Sequence, residues 1–160
     1  MTTGNGPSLL RHAVATVAYR GRKAIAGAPA GFADLRVSEQ SRTPGQILAH
    51  IGDLFDWALS LADGQQRWQN SPPLAWDLES ARFFDSLKKF DDRLAGGAAL
   101  GCSAEQLFQG PVADALCHVG QIAMLRRIGG APVRAENYFG ADILAGRVGP
   151  DQRPPSVEFD

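Results

Sequence analysis

Four segments of the chain repeat apolar residues at three- and four-residue steps, the spacing that places them on one face of an α-helix. They cover residues 8–26, 44–63, 77–94 and 112–128. Glycines follow each segment, and Thr43-Pro44 before the second suits an N-cap and a first helical position. The pattern therefore predicts four amphipathic helices, with a further short helical turn at residues 103–108.

The connections between these helices and the C-terminal tail have a different pattern. Residues 27–43 and 63–76 are long links, which can cross the end of a bundle instead of making a tight antiparallel turn. No alternating polar and apolar pattern predicts a β-strand. After Gly130 the chain is rich in proline and glycine, so residues 131–160 are predicted to be irregular. Apolar side chains are expected to pack this tail on the helices: Tyr138, Phe139, Ile143, Leu144 and Phe159.

These elements predict an all-α fold. We expect a single domain over residues 1–160, in which a four-helix bundle over about 8–130 carries the irregular tail. Composition agrees with this, because 44% hydrophobic and 21% charged residues are ordinary values for a soluble domain.

Charge and apolar content also exclude several classes of partner. The net charge is −1 and no basic run occurs, so a nucleic-acid partner is not expected. No apolar run has the length of a membrane span, and the N-terminus lacks the pattern of a signal peptide. Cys102 and Cys117 form neither a disulfide framework nor a CxxC pair, and Cys117 is expected to be a small core residue. A cytoplasmic location follows as an expectation.

Three polar residues interrupt the apolar helices and are candidate metal ligands. Asp114 and His118 stand four residues apart, so both side chains project from one helix face and can hold one divalent cation. His50, on the core-facing flank of the second helix, is a candidate third ligand that would leave coordination positions open. Two alternatives stay open: Asp114 and His118 form a simple intrahelical pair or face solvent, and His50 is a hydrogen-bonded core histidine.

Other residues near these positions suggest supporting roles. Gln121, one turn beyond His118, is expected to hydrogen-bond a metal-bound water or a group that supports a metal ligand. Asp53 is expected either to orient the His50 imidazole or to be a solvated helix residue. Gly120 suggests a close helix–helix approach or a tolerated surface glycine. Three tryptophans are candidates for a pocket mouth, for the core or for an interface: Trp57, Trp68 and Trp76.

Two segments resemble the DinB/YfiT-like superfamily of four-helix bundle proteins. They are TPGQILAHIGDLFDWAL, which begins at Thr43, and DALCHVGQIAMLRRIGGAPV, which begins at Asp114. The resemblance implies a divalent ion, nickel or zinc, held by His50 and by a helical pair whose second member is His118. Asp114 stands where the family has a histidine. Aspartate is a harder, anionic ligand that shifts preference away from soft-metal chemistry, and its presence is also consistent with a decayed site.

The resemblance also implies a function. It suggests a metal-dependent enzyme, either a transferase or isomerase that uses a low-molecular-weight thiol or a hydrolase, acting on a small-molecule substrate as a homodimer. The alternative is a non-catalytic bundle, either small-molecule-binding or dimeric and stress-associated, with a vestigial metal site.

Overall fold

The four predicted helices are present in a computed structural model of the chain, which describes residues 6–159. The long helices are α1 (Gly6–Ile25), α2 (Pro44–Ala62), α3 (Trp76–Ala95) and α5 (Ala113–Ile128), with a short helix α4 (Ala104–Leu107) before the last. Each predicted boundary lies within two residues of the observed one. None of the helices in the described part of the chain is long and apolar enough to cross a membrane.

Local sequence accounts for where α2 and α4 begin. Thr43 accepts a hydrogen bond from the backbone N–H of Gln46, whose side chain in turn accepts from the Thr43 N–H. Ser103 and Gln106 form the same reciprocal capping box before α4. Each box satisfies two backbone groups that a helix start otherwise leaves unpaired.

Cross-helix contacts show that α2 and α3 run parallel. Arg82 of α3 binds Asp53 of α2. About three helical turns further along α3, Arg93 binds Asp63 at the end of α2. Parallel neighbours need a connection that returns along the bundle, and the non-helical link 63–75 provides it. As expected, this link makes no tight antiparallel turn, but it returns along the bundle and does not cross its end.

Two of the three other neighbouring pairs place α5 against α1 and α2. Arg126 near the end of α5 donates to the carbonyl of Ala24 near the end of α1, so these two helices are parallel. His50 of α2 meets His118 of α5, while Trp57 further along α2 lies against Gly110 before α5, so that pair is antiparallel. The order around the bundle is α1, α3, α2, α5, which sets the face of α2 that carries His50 against α5.

The core lies between the four helices and is filled mainly by aromatic and aliphatic side chains. Phe55, Phe83 and Phe90 are fully buried. Gly21 of α1 permits a close approach of α3, because a Cβ at this position would lie 2.4 Å from the Phe83 ring. Burial of such rings provides most of the favourable free energy of folding.

The tail differs from the expectation in two ways. It forms a small antiparallel pair of strands, β1 (Ala135–Glu136) and β2 (Glu158–Phe159), where no strand was predicted. Phe139, Leu144 and Phe159 are 99%, 58% and 52% exposed, so the expectation that they pack on the helices is wrong. Elsewhere the tail does pack on the helices as expected, because Ile143 lies against the core, Val148 is buried in it, and the Tyr138 ring meets Tyr19 of α1 edge to face. The buried Glu136 carboxylate also anchors the tail, since it accepts hydrogen bonds from Tyr19 and Lys23 of α1.

The approach to α5 also differs from the prediction. A π-helical turn (Phe108–Val112) joins α4 to α5, so the helical path is continuous through Pro111. The sequence predicted a short helical turn at residues 103–108 and a separate helix from residue 112. Proline cannot donate the hydrogen bond of an α-helix interior. The wider turn accommodates the missing N–H.

Candidate metal centre

His50, Asp114 and His118 converge across the antiparallel pair of α2 and α5. Nε2 of His50 lies 3.5 Å from Oδ2 of Asp114, and Nε2 of His118 lies 3.5 Å from Oδ1 of the same carboxylate. The two imidazole rings meet edge to face, with centroids 4.7 Å apart. The pair on α5 is thus joined by a group from a second helix, as the sequence predicted.

The donor set is suited to a divalent ion. All three candidate ligand atoms lie within 4.8 Å of one another, so the group could hold a metal ion. Ligand atoms at about 2.0–2.2 Å from a tetrahedral ion are about 3.4 Å apart, close to the two imidazole–carboxylate distances. The histidine side chains are 17% and 12% exposed and Asp114 is 48% exposed, so the solvent side of the group lies at the carboxylate.

Gln121 supports His118 from the far side of the ring. Its Oε1 lies 2.8 Å from Nδ1 of His118, and a hydrogen bond donated by Nδ1 to this oxygen leaves the Nε2 lone pair directed at the site. Histidine ligands commonly donate their second N–H in this way, which fixes tautomer and ring orientation. Gln121 therefore contacts a candidate ligand directly.

His50 lies in an environment that favours the neutral imidazole. Burial lowers its pKa, and the nearby His118 and the cation of Arg42 lower it further, although Asp114 opposes them. A neutral imidazole is the form that ligates a metal, so this environment reduces competition from protons near neutral pH.

Neither expectation for Asp53 is correct. Its side chain is 2% exposed, so it is not solvated, and its hydrogen bonds go to the Ser71 backbone and hydroxyl and to Arg82. No hydrogen bond joins it to His50 in residues 6–159. Asp53 instead fixes the link between α2 and α3. That link carries Trp68, whose ring meets His50 edge to face at 5.5 Å.

Arg82 is a residue that the sequence analysis did not single out. Its guanidinium binds Asp53, Asp56 and the fully buried Glu79. It lies directly over Gly52, where a Cβ would be 2.9 Å from the guanidinium carbon. The lack of any side chain at position 52, facing an arginine, is the only sequence signal for this cluster, and it becomes interpretable once α2 and α3 are known to be neighbours.

The three tryptophans divide between the site and the core. Trp57 and Trp68 form an edge-to-face pair with centroids 5.8 Å apart beside His50, whereas Trp76 packs on Phe32 elsewhere. The indole N–H of Trp57 is buried, and no hydrogen-bond partner for it lies within the described part of the chain.

Two predictions for α5 are corrected. Cys117 is exposed and is not a core residue, because the buried face of α5 is formed by Ala115, Val119 and Ile122. Gly120 does not mark a close helix approach, since a Cβ there would meet nothing within 4 Å. It is the tolerated exposed glycine of the alternative interpretation.

Each candidate ligand borders a different surface cleft. His118 borders a groove of about 720 Å³ between α5 and the segment before α2, called here the α5 cleft, together with Gly120 and Met124. His50 borders a smaller cleft of about 420 Å³ along the α2–α3 link, and Asp114 borders one of about 400 Å³ beside Trp57. The candidate ligand atoms lie within 4.8 Å of one another, and their residues border three separate surface clefts.

Comparisons with family models, with curated proteins and with solved structures gave no match to this chain. The membership of the DinB/YfiT-like superfamily accordingly stays a prediction from the sequence.

Proposed function

We propose that the protein is a divalent-metal-dependent enzyme whose ion is held by His50, Asp114 and His118. The observation that carries the proposal is the convergence of the three ligand atoms within 4.8 Å, from two helices, at a partly open position.

The chemistry follows from the open side of the group. A divalent ion with free coordination positions lowers the pKa of a bound water or thiol, so that hydroxide or thiolate is available near neutral pH. Gln121 holds the His118 ring in the ligating orientation, and Trp68 packs against His50. Two histidines and one carboxylate suit zinc and nickel, and the carboxylate broadens the choice toward harder ions.

The reaction class is the finer part of the proposal. Resemblance to the DinB/YfiT-like superfamily supports a thiol-dependent transferase or isomerase, or a hydrolase, that acts as a homodimer. The sequence composition supports a cytoplasmic location. A low-molecular-weight thiol would bind as a co-substrate. Cys117 borders both the α5 cleft and the cleft of Asp114, so Cys117→Ser is the variant that separates the chain's own thiol from an added one.

Metal binding is tested on protein purified without an affinity tag and then stripped with chelator. Zinc or nickel at about one hundred times its Kd should add about 2.7 kcal/mol to the free energy of unfolding, or roughly 5–10 °C in Tm. His50→Ala and His118→Ala should each abolish most of this shift. Elemental analysis of the unstripped protein identifies the native ion.

His12 provides the matched control, since it is an exposed histidine on α1 away from the site. His12→Ala should keep the full metal-induced shift. An equal shift in wild type and in a His50→Ala/His118→Ala double variant would contradict the proposal, because the ion would then bind elsewhere. Activity that is lost in His118→Ala and after chelation, and returns with added metal, separates an enzyme from a metal-binding scaffold.

The α5 cleft favours one second candidate, a non-catalytic small-molecule-binding protein. Its volume of about 720 Å³ lies within the range of ligand sites. Tight binding of an apolar ligand by chelator-treated protein, with no metal-induced shift at neutral pH, would support this candidate over the enzyme.

A further inference from the structure

The α5 cleft has apolar walls. Ile47 of α2 and Leu125 of α5 contribute buried side chains, while Val37, Met124 and Ile128 line it and remain 53%, 56% and 54% exposed. Large apolar side chains exposed side by side on one surface commonly mark a binding site. The walls therefore suit the apolar part of a ligand.

The wall opposite α5 is held in a fixed shape. Ser41 Oγ accepts hydrogen bonds from the backbone N–H groups of Val37 and Ser38, at 3.2 and 3.0 Å. Arg36 donates to the Ser41 carbonyl at 2.8 Å. This closed turn positions both Val37 and the neighbouring Arg42, so little ordering is needed when a ligand enters.

Arg42 is the cation of this cleft. Among Asp, Glu, Lys and Arg side chains it alone lines the α5 cleft, and it also borders the cleft of His50. No ion pair within residues 6–159 engages its guanidinium. An exposed guanidinium between an apolar groove and two imidazoles is suited to a carboxylate or another oxyanion, which it can bind through two parallel hydrogen bonds.

The charge of the metal centre points to the same class of ligand. A divalent ion held by two neutral imidazoles and one carboxylate leaves a net positive charge at the site, and Arg42 adds a second cation nearby. Asp53, the acidic residue of the His50 cleft, is already paired with Arg82. An anionic group is thus attracted to the point where the clefts meet.

We propose that the α5 cleft binds an organic anion with an apolar body, its head group at Arg42 beside the metal centre and its body along Ile47, Met124 and Ile128. This assigns a substrate class to the proposed function, and only the ion's contribution rests on that function. Helix α5 rises about 9 Å from His118 to Met124, the reach of a chain of about eight carbons.

The test uses octanoate and its neutral analogue octanamide, titrated calorimetrically into the full chain in the presence of chelator. Octanoate should bind about tenfold more tightly than octanamide, since a charge-assisted hydrogen bond is worth at least that factor. Arg42→Gln should lower octanoate affinity about tenfold and leave octanamide unchanged. Met124→Ser should weaken both ligands alike.

Two further variants isolate the cleft. Arg127→Gln removes an exposed arginine of α5 outside the cleft and should change neither affinity. Gly120→Leu places a side chain in the open space of the cleft, because a Cβ at this position has no neighbouring atom within 4 Å. It should reduce the binding of both ligands while α5 stays folded. Circular dichroism of each variant confirms the fold.

Three outcomes would overturn the inference. The first is equal affinity for octanoate and octanamide, and the second is wild-type octanoate affinity in Arg42→Gln. The third is a wild-type dimer that the Met124→Ser substitution dissociates, because a second copy of the chain would then cover the cleft. Metal affinity is measured on the same proteins and should change less than about threefold in Arg42→Gln. Octanoate binding without metal binding would contradict the proposed function alone, and metal binding without octanoate discrimination would contradict this inference alone.

Discussion

At the scale of single residues, the environment of His50 has a measurable effect on stability. Its pKa is lowered in the folded protein, first by burial and then by His118 and Arg42, with Asp114 acting in the opposite direction. An unfolded chain has the ordinary histidine value of about 6.5 and binds a proton more readily. The native state therefore loses stability as the pH falls below about 6.5, and the loss ends below the folded pKa.

We expect His50→Asn to flatten this dependence in chelator-treated protein. The free energy of unfolding of wild type should fall between pH 7 and pH 5, and that of His50→Asn should fall less over the same interval. Urea denaturation at each pH measures both slopes. His12→Asn, at an exposed position, should retain the wild-type slope, and an unchanged slope in His50→Asn would show that other groups cause the acid loss.

At the scale of elements, the C-terminal ends of the parallel helices α1 and α5 lie together at the same end of the bundle. Arg126 is 5% exposed and donates to the carbonyls of Ala24, Ala26 and Gly27 at the end of α1, and to that of Ala131 after α5. One guanidinium thus satisfies a carbonyl in the last turn of α1 and carbonyls in the segments that follow both helices, and its charge opposes the partial negative charge at the helix ends.

Arg126→Met should be strongly destabilising. It leaves several partly buried carbonyls without donors, and we expect a loss of about 2–4 kcal/mol in the free energy of unfolding. Arg127→Met, at the exposed neighbouring position, should change stability by no more than about 0.5 kcal/mol. Urea denaturation monitored by helix circular dichroism compares the two, and similar losses would contradict the role given to Arg126.

The same scale shows what sequence can and cannot predict. The start of α2 was predictable because Thr43 suits the N-cap and Pro44 the first helical position, both read from neighbouring residues. The grouping of Asp114 with His118 was predictable from helix geometry alone. The binding of Asp53 by Arg82 was not, because it depends on α2 and α3 being parallel neighbours.

Two other failures have local physical causes. The continuous path from α4 into α5 was not predicted, because it depends on a π turn that needs no hydrogen bond from Pro111. Cys117 lies about 100° around the helix from His118, and whether that direction is core or solvent depends on which helices flank α5. The sequence determines how side chains on one helix are directed relative to each other. Which of those directions faces the core depends on the helices that pack beside it.

At the scale of the whole molecule, the tail returns to the first helix. Tyr19 donates to Glu136 at 2.6 Å, and Lys23 bridges Glu136 of β1 and Glu158 of β2. Burial and the Glu136 carboxylate raise the Tyr19 pKa well above its usual range. The buried Glu136 carboxylate thereby ties the last thirty residues to α1, in addition to the burial of Val148 in the core.

Tyr19→Phe should lower the free energy of unfolding by about 2 kcal/mol, because it removes a buried hydrogen bond to a charged group. A double-mutant cycle with Glu136→Gln checks the assignment. The two losses should fall short of additivity by at least about 0.5 kcal/mol if the hydroxyl and the carboxylate interact. Strictly additive losses would contradict the contact.

The antiparallel contact of α2 with α5 has a mechanical consequence. A slide of one helix along the other by a single residue is about 1.5 Å, enough to separate His50 from its two partners on α5. An ion bound by all three residues would resist this displacement of the helices. Like a disulfide, but reversibly, it would cross-link segments that are distant along the chain. Loading and unloading the ion would then tighten and loosen the whole bundle.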